Sequence, residues 1–252
     1  MFDRRVYHVL FALLILPLSG CASLQYSAEP IEARVVDAET KQPLEGVIIT
    51  ANWQLEEGTF GGNVQAGQLS VMETTTDKEG KFRFPGWGPL KVAKGHLVNR
   101  DPQLLLFKSG YESLGLENKY SSDRELRLRS VRKSDWNGKT IVLRPFKMVL
   151  EALREHYKKD ALYQELYPEH DPIPGTLEEE YAKHLSFLHT SISSILDDGE
   201  CNWKKIPRLI VAMDKQEKIF RSRNIYSPLY SIDDLPNGKC GSARDFFRGF
   251  MQ

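Results

Sequence analysis

The apolar residues change their spacing near Pro145, and that change limits the fold more than anything else in the chain. Before Pro145 the apolar residues fall in short runs with a period of two, the signature of strands with one buried face. Ile31 to Asp37 comes first, followed by Gly46 to Trp53, Ser70 to Thr76, Lys81 to Phe84 and Gln103 to Lys108. Glu125 to Arg129 alternates Leu126 and Leu128 with Arg127 and Arg129, and Thr140 to Arg144 closes the set. Short strands separated by Gly and Pro turns predict a β-sandwich.

After Pro145 the period becomes helical. Pro145 suits the first turn of a helix expected to reach about Tyr167, with Phe146, Val149, Leu150, Leu153, Tyr157 and Ala161 on one face. Thr176 and Glu179 are spaced as a capping box. Leu177, Tyr181, Leu185, Leu188, Ile192 and Ile195 then form a stripe, and a third helix is expected over roughly Lys204 to Arg221 with Ile206, Ile210, Met213 and Phe220 inside. Ser242 and Asp245 mark a short last helix carrying Phe246 and Phe247. The expected class is α+β, a sandwich over 31–145 followed by a helical region over 146–252.

The first residues concern location rather than fold. Arg4 and Arg5 precede an apolar run from Val6 to Leu18, broken only by His8. The run is too short to span a bilayer, which takes about 20 residues, and its basic flank reads as an export signal. Leu18-Ser19-Gly20-Cys21 resembles the bacterial lipobox. That resemblance implies cleavage after residue 20, acylation of Cys21 (palmitate among the chains) and a lipoprotein with a tether over 21–30. Two or more acyl chains anchor a protein stably, whereas one does so marginally. Ala22 rather than Asp after the cysteine implies, by the same resemblance, the outer membrane with the protein facing the periplasm.

Cleavage would remove two of 34 basic and one of 34 acidic residues, leaving 32 and 33. A nucleic-acid-binding chain would be clearly basic, so that class is set aside. Cys201 and Cys240 are the cysteines that would remain. In an oxidising compartment they are expected to form a disulfide rather than two separate thiols. Its loop would stabilise the fold by about 4 kcal/mol on chain-entropy grounds.

A second resemblance lies in the strand half. Val36-Asp37-Ala38-Glu39-Thr40-Lys41-Gln42-Pro43-Leu44-Glu45-Gly46-Val47, then Thr76-Asp77-Lys78-Glu79-Gly80-Lys81-Phe82-Arg83-Phe84, then Gly110-Tyr111-Glu112 are similar to three stretches of carboxypeptidase regulatory-like domains. These have a transthyretin-like sandwich and serve as accessories beside a separate zinc-bearing domain. Local chemistry fits each piece. Asp37 and Thr40 can bond backbone in a turn, and Gly80 can take a positive φ before a strand that aims Phe82 and Phe84 to one side. A Gly-rich insertion from Glu56 to Gly67 departs from the pattern and is expected to be a long hairpin loop.

No H-x-x-E, H-E-x-x-H or G-x-S-x-G occurs. His184 and His189 are five apart, about 140° around a helix, which is wrong for sharing one metal. His156 and Asp160 have i, i+4 spacing but supply only two ligands, and Glu178, Glu179 and Glu180 in a first helical turn complement its dipole. No enzyme activity, metal or cofactor is therefore expected. Lys119 to Lys147 holds nine basic and three acidic residues, while Glu165 to Glu180 holds six acidic residues and no Lys or Arg. Arg127 and Arg129 could face those acidic turns, or an anionic lipid or glycan. Trp87, set in a rigid turn expected over Pro85-Gly86-Trp87-Gly88-Pro89, is the candidate sugar contact beside Trp53 and Trp136. The expected function is a membrane-anchored, non-enzymatic binding or assembly module for envelope proteins. A glycan or peptidoglycan binder is the alternative, and a hydrolase with an unrecognised site a third.

Overall fold

The computed structural model describes residues 24–119, 130–166, 168–169, 173, 175–197, 201–235 and 238–250. The lipobox with Cys21, the expected strand at Glu125 to Arg129, and both Arg127 and Arg129 lie outside the described residues.

The described strands are β1 (Gln25–Ala28), β2 (Ile31–Asp37), β3 (Ile48–Thr59), β4 (Gly62–Thr75), β5 (Lys81–Phe84), β6 (Trp87–Lys91), β7 (His96–Leu97), β8 (Gln103–Phe107), β9 (Leu114–Leu116), β10 (Val131–Arg132) and β11 (Thr140–Leu143). They form three sheets with orders β10-β1-β6, β11-β2-β5 and β4-β3-β8-β9, and β7 pairs with β3 as well. β10 runs parallel to β1 and β11 parallel to β2; the other pairings are antiparallel.

Three strand expectations are corrected. Tyr26 and Ala28, in the expected tether, are buried in alternation as part of β1. The rigid turn expected over Pro85 to Pro89 instead runs into a strand: Trp87 to Lys91 is β6 and pairs with β1. The insertion from Glu56 to Gly67 is no loop: β3 and β4 stay paired out to Thr59 opposite Gly62. Pairing satisfies the backbone groups even where the side chains are small, and two register shifts, at Trp53/Gln54 and Leu55/Glu56, absorb the irregularity.

The helices are α1 (Phe146–Lys159), α2 (Ala161–Leu166), α3 (Leu177–His184), α4 (Ser186–Asp197), α5 (Pro207–Ser222) and α6 (Ala243–Phe247), with a 3₁₀ turn at Asn202–Lys205. Two expected helices are therefore broken. The first stops at Asp160, whose Oδ1 accepts from the N–H groups of Leu162 and Tyr163. Only Phe146, Val149 and Leu150 of its stripe are buried, and Leu153 is 41% exposed. The second breaks at Leu185. The capping box at its start is present: Thr176 Oγ1 accepts from Glu179 N–H, and Glu179 Oε2 accepts from Thr176 N–H. The disulfide Cys201–Cys240 is formed. Ser242 Oγ accepts from Asp245 N–H and caps α6.

The β4-β3-β8-β9 sheet is covered on both faces. Ile49, Ala51, Trp53, Leu104 and Leu106 point into the sandwich core with Val35, Phe82 and Phe84. Val71, Leu105 and Phe107 point the other way, into a core built with Leu188, Ile192, Ile210, Met213 and Phe220 of the helices. This explains the unbroken run Leu104-Leu105-Leu106-Phe107: a strand covered on both faces has no polar side. The structure is thus mixed α+β, with sandwich-like sheets followed by helices.

Candidate functional site

An open groove of about 580 Å³ is lined by residues of β2, β4, β5 and β11 and by the turn before β11. Local chemistry fixes its walls. In the turn before β5, Asp77 Oδ1 accepts from the N–H groups of Glu79 and Lys81. Gly80 has φ +71° there, and its carbonyl accepts from Val35 N–H. On the other side, Asn137 Oδ1 accepts from Glu32 N–H, and Gly138 N–H donates to the Glu32 carbonyl. These bonds clamp the Gly138-Lys139-Thr140 segment against β2.

The groove carries Arg34, Lys81, Arg83 and Lys139 against Glu32 and Asp77. Arg83 pairs with Glu32 at 3.1 Å, and Arg34 Nε donates to the Glu79 carbonyl. Neither Lys81 nor Lys139 has a side-chain partner among the described residues. Thr74 and Thr75 add hydroxyls at the β4 side. Two uncommitted ammonium groups beside hydroxyls can hold an anionic group by charge and hydrogen bonding.

The first and third of the stretches that carry the family resemblance meet in a joint. Asp37 Oδ1 accepts from the N–H groups of Glu39 and Thr40, and Tyr111 donates its hydroxyl to Asp37 Oδ2 at 2.7 Å. Burial pushes Asp37 upward, but the bonds from Thr40, Tyr111 and Glu39 outweigh it and hold the carboxyl below its ordinary range. Burial and the neighbouring carboxylate push Tyr111 up to about 12. Glu112, with its side chain buried, takes a forked pair from Arg144 at 2.7–3.1 Å and accepts Arg144 N–H at 3.0 Å.

A second set of joints ties sheet to helices. Glu73 on β4 accepts from the N–H groups of Arg208 (2.9 Å) and Leu209 (2.8 Å), capping α5 from outside the helix. Burial raises its pKa despite these bonds and the nearby Arg208. Ser113 N–H donates to His184 Nε2 at 3.1 Å, and Gly110 N–H to the Tyr181 hydroxyl at 2.9 Å. Ser113 Oγ lies 3.4 Å from the same His184 nitrogen. Burial is the main cause that lowers the pKa of His184. Among the described residues no group of three His, Cys, Asp or Glu side chains could hold a metal, and no helix is long and apolar enough to cross a membrane.

Trp87 is half-buried, meets Trp53 edge to face at 5.3 Å, and has its indole nitrogen buried without a partner among the described residues. Trp136 stands apart and donates its indole N–H to the Glu117 carbonyl. The three rings therefore do not share one platform. The groove lysines and the Glu73 cap were not singled out from sequence. Lys81 lies inside a quoted motif, but nothing local marks it as unpaired.

No family model matches the chain, and no curated protein matches it. Among solved structures it is similar to a 3-chlorocatechol 1,2-dioxygenase from Rhodococcus opacus 1CP, 16% identical over 48% of this chain and 60% of that one, with a TM-score of 0.28. A catechol 1,2-dioxygenase from Pseudomonas arvilla C-1 is 14% identical over 50% and 54%, with a TM-score of 0.28. A DUF3823 family protein from Bacteroides uniformis ATCC 8492 is 17% identical over 47% and 43%, with a TM-score of 0.21. The chain spans less than two thirds of the length of each of these proteins. Likenesses of this size assign neither activity nor ligand.

Proposed function

We propose that this is a lipid-anchored cell-envelope protein, held at the outer membrane through Cys21, that acts as a non-enzymatic binding module for an acidic segment of an envelope partner. Its strand half is read as a carboxypeptidase regulatory-like, transthyretin-like domain over 31–145. The observation that carries the reading is the groove in which Lys81 and Lys139 have no partner among the described residues while Arg83 and Arg34 are already engaged. Long, uncommitted ammonium side chains on a rigid frame supply charge complementarity to a docking partner. The resemblance of the three motif stretches supports the frame, and so does the bond between Asp37 of the first and Tyr111 of the third.

The test is crosslinking in living cells, followed by purification of the anchored protein and mass spectrometry of what comes with it. A dominant envelope protein is expected with the natural chain and lost with the double variant Lys81→Glu, Lys139→Glu. A partner retained by that variant would remove the groove from the reading. Recovery no different from an unrelated lipid-anchored control would remove the docking role itself.

A further inference from the structure

The β3–β4 hairpin ends in a paired segment whose side chains enter neither hydrophobic core. Gly58 to Val64 contains no charged residue, Phe60 at its tip is fully exposed (116%), and Val64 is 48% exposed. The hairpin is braced at its base, where Lys94 pairs with Glu57 at 2.6 Å and His96 with Glu56 at 3.1 Å. A bare phenylalanine held on a paired, uncharged tip is positioned to enter something apolar.

The first described residues run to the same side. β1, followed backward, goes from Ala28, opposite Trp87, to Leu24, whose carbonyl accepts from Val92 N–H. Trp87 packs on Trp53, in the middle of β3. Three residues after Val92, Gly95 lies against the backbone of Glu56 at the hairpin base. Leu24 and the hairpin base therefore lie on the same side of the sandwich. Leu24 and Leu90, paired strands' exposed apolar residues on that side, are 43% and 39% exposed.

The lengths match. From Cys21 to Leu24 an extended chain reaches at most about 10 Å. From Glu56 to Phe60 the paired strand advances roughly 13 Å. With Leu24 and the hairpin base on one side, these lengths put the tip within reach of a bilayer that holds Cys21. We propose that the tip around Phe60 inserts into the lipid surface to which Cys21 tethers the chain, giving the protein two membrane contacts and one orientation. This inference rests on the lipid-anchor reading above.

The experiment uses the full acylated protein in vesicles of phosphatidylethanolamine and phosphatidylglycerol. Phe60→Cys is labelled without reductant with an environment-sensitive thiol dye, since Cys201 and Cys240 are bonded to each other. Tyr226→Cys, at an 87% exposed site, is the matched control. It lies ten residues beyond Gln216, which bonds Ser109 at the far end of β8 from the hairpin. The expected result is a blue shift at position 60, with quenching by lipid-chain quenchers, and neither effect at 226. If vesicles float with the protein while position 60 behaves like 226, the insertion is overturned and the anchor stands. If protein made with lipoprotein-processing enzymes carries no acyl group at Cys21 and does not float, the anchor reading falls and the insertion falls with it. A shift seen in native membranes but absent from pure lipid would assign the tip to a protein partner and overturn the lipid contact.

Discussion

Tyr111 donates its hydroxyl to Asp37 across 74 residues of sequence, at 2.7 Å, and so ties the turn after β2 to the segment that leads into β9. Tyr111 also bridges to Pro145, the residue before α1. Tyr111→Phe removes one hydrogen bond to a charged acceptor, which is expected to cost about 1.5–3 kcal/mol. It should also raise the pKa of Asp37. The folded value of Asp37 is depressed, so its contribution is present above the unfolded value near 3.8 and is lost as pH falls through the folded one. Denaturant midpoints followed from neutral pH downward should show less acid sensitivity in the variant. An unchanged acid limb would remove Tyr111 from the account.

Gly80 holds φ +71°, and a Cβ there would collide with the Val35 carbonyl oxygen, which belongs to the neighbouring backbone rather than to a flexible side chain. Gly80→Ala should therefore destabilise by more than the roughly 1 kcal/mol typical of a strained left-handed residue. Thermal unfolding of Gly80→Ala beside Gly110→Ala, where a Cβ meets nothing within 4 Å, separates the collision from the strain. Equal losses would show that the collision relaxes away.

Glu73 joins β4 to α5 by accepting two helix-start N–H groups. Glu73→Ala leaves both without that acceptor and is expected to cost about 1–3 kcal/mol; Glu73→Gln, which keeps one carbonyl oxygen, should cost less. Burial raises the folded pKa of Glu73, so ionisation opposes folding: the contribution is full below the unfolded value near 4.5 and lost as pH rises through the folded one. The deficit of Glu73→Gln should accordingly shrink at neutral pH. Equilibrium unfolding of the three proteins at pH 4 and pH 7 checks both statements.

His184 can accept from Ser113 N–H only while Nε2 is unprotonated. Its folded pKa lies below 6.5, so its contribution is present above 6.5 and lost as pH falls through the folded value. Hydrogen exchange at the Ser113 amide should accelerate, relative to intrinsic rates, across that window. His184→Gln should abolish the dependence. Protection of Ser113 that ignores pH would overturn the link.

Much of the frame was legible because its signals are local. β2, β5 and β11 start where alternation places them, and the capping chemistry at Thr176 and Ser242 follows from spacing alone. β1 was missed because four residues carry too little alternation to stand out, although Tyr26 and Ala28 are buried. β6 was read as a turn because Gly86, Gly88 and Pro89 mask a strand whose identity comes from pairing with β1. The groove and the Glu73 cap depend on residues brought together from distant stretches, Glu73 with Arg208 and Lys81 with Lys139. No single window of sequence contains them.

The β4-β3-β8-β9 sheet works as a party wall, with a tenant on each side. Cutting the chain at Pro145 would not release a tidy strand domain: Val71, Leu105 and Phe107 would be left facing water as one apolar plate. Released helices would lose the same plate and the Glu73 cap. Attempts to express either half alone should therefore yield aggregates, and evolution could lengthen, shorten or redecorate the loops far more easily than it could trade one half for another.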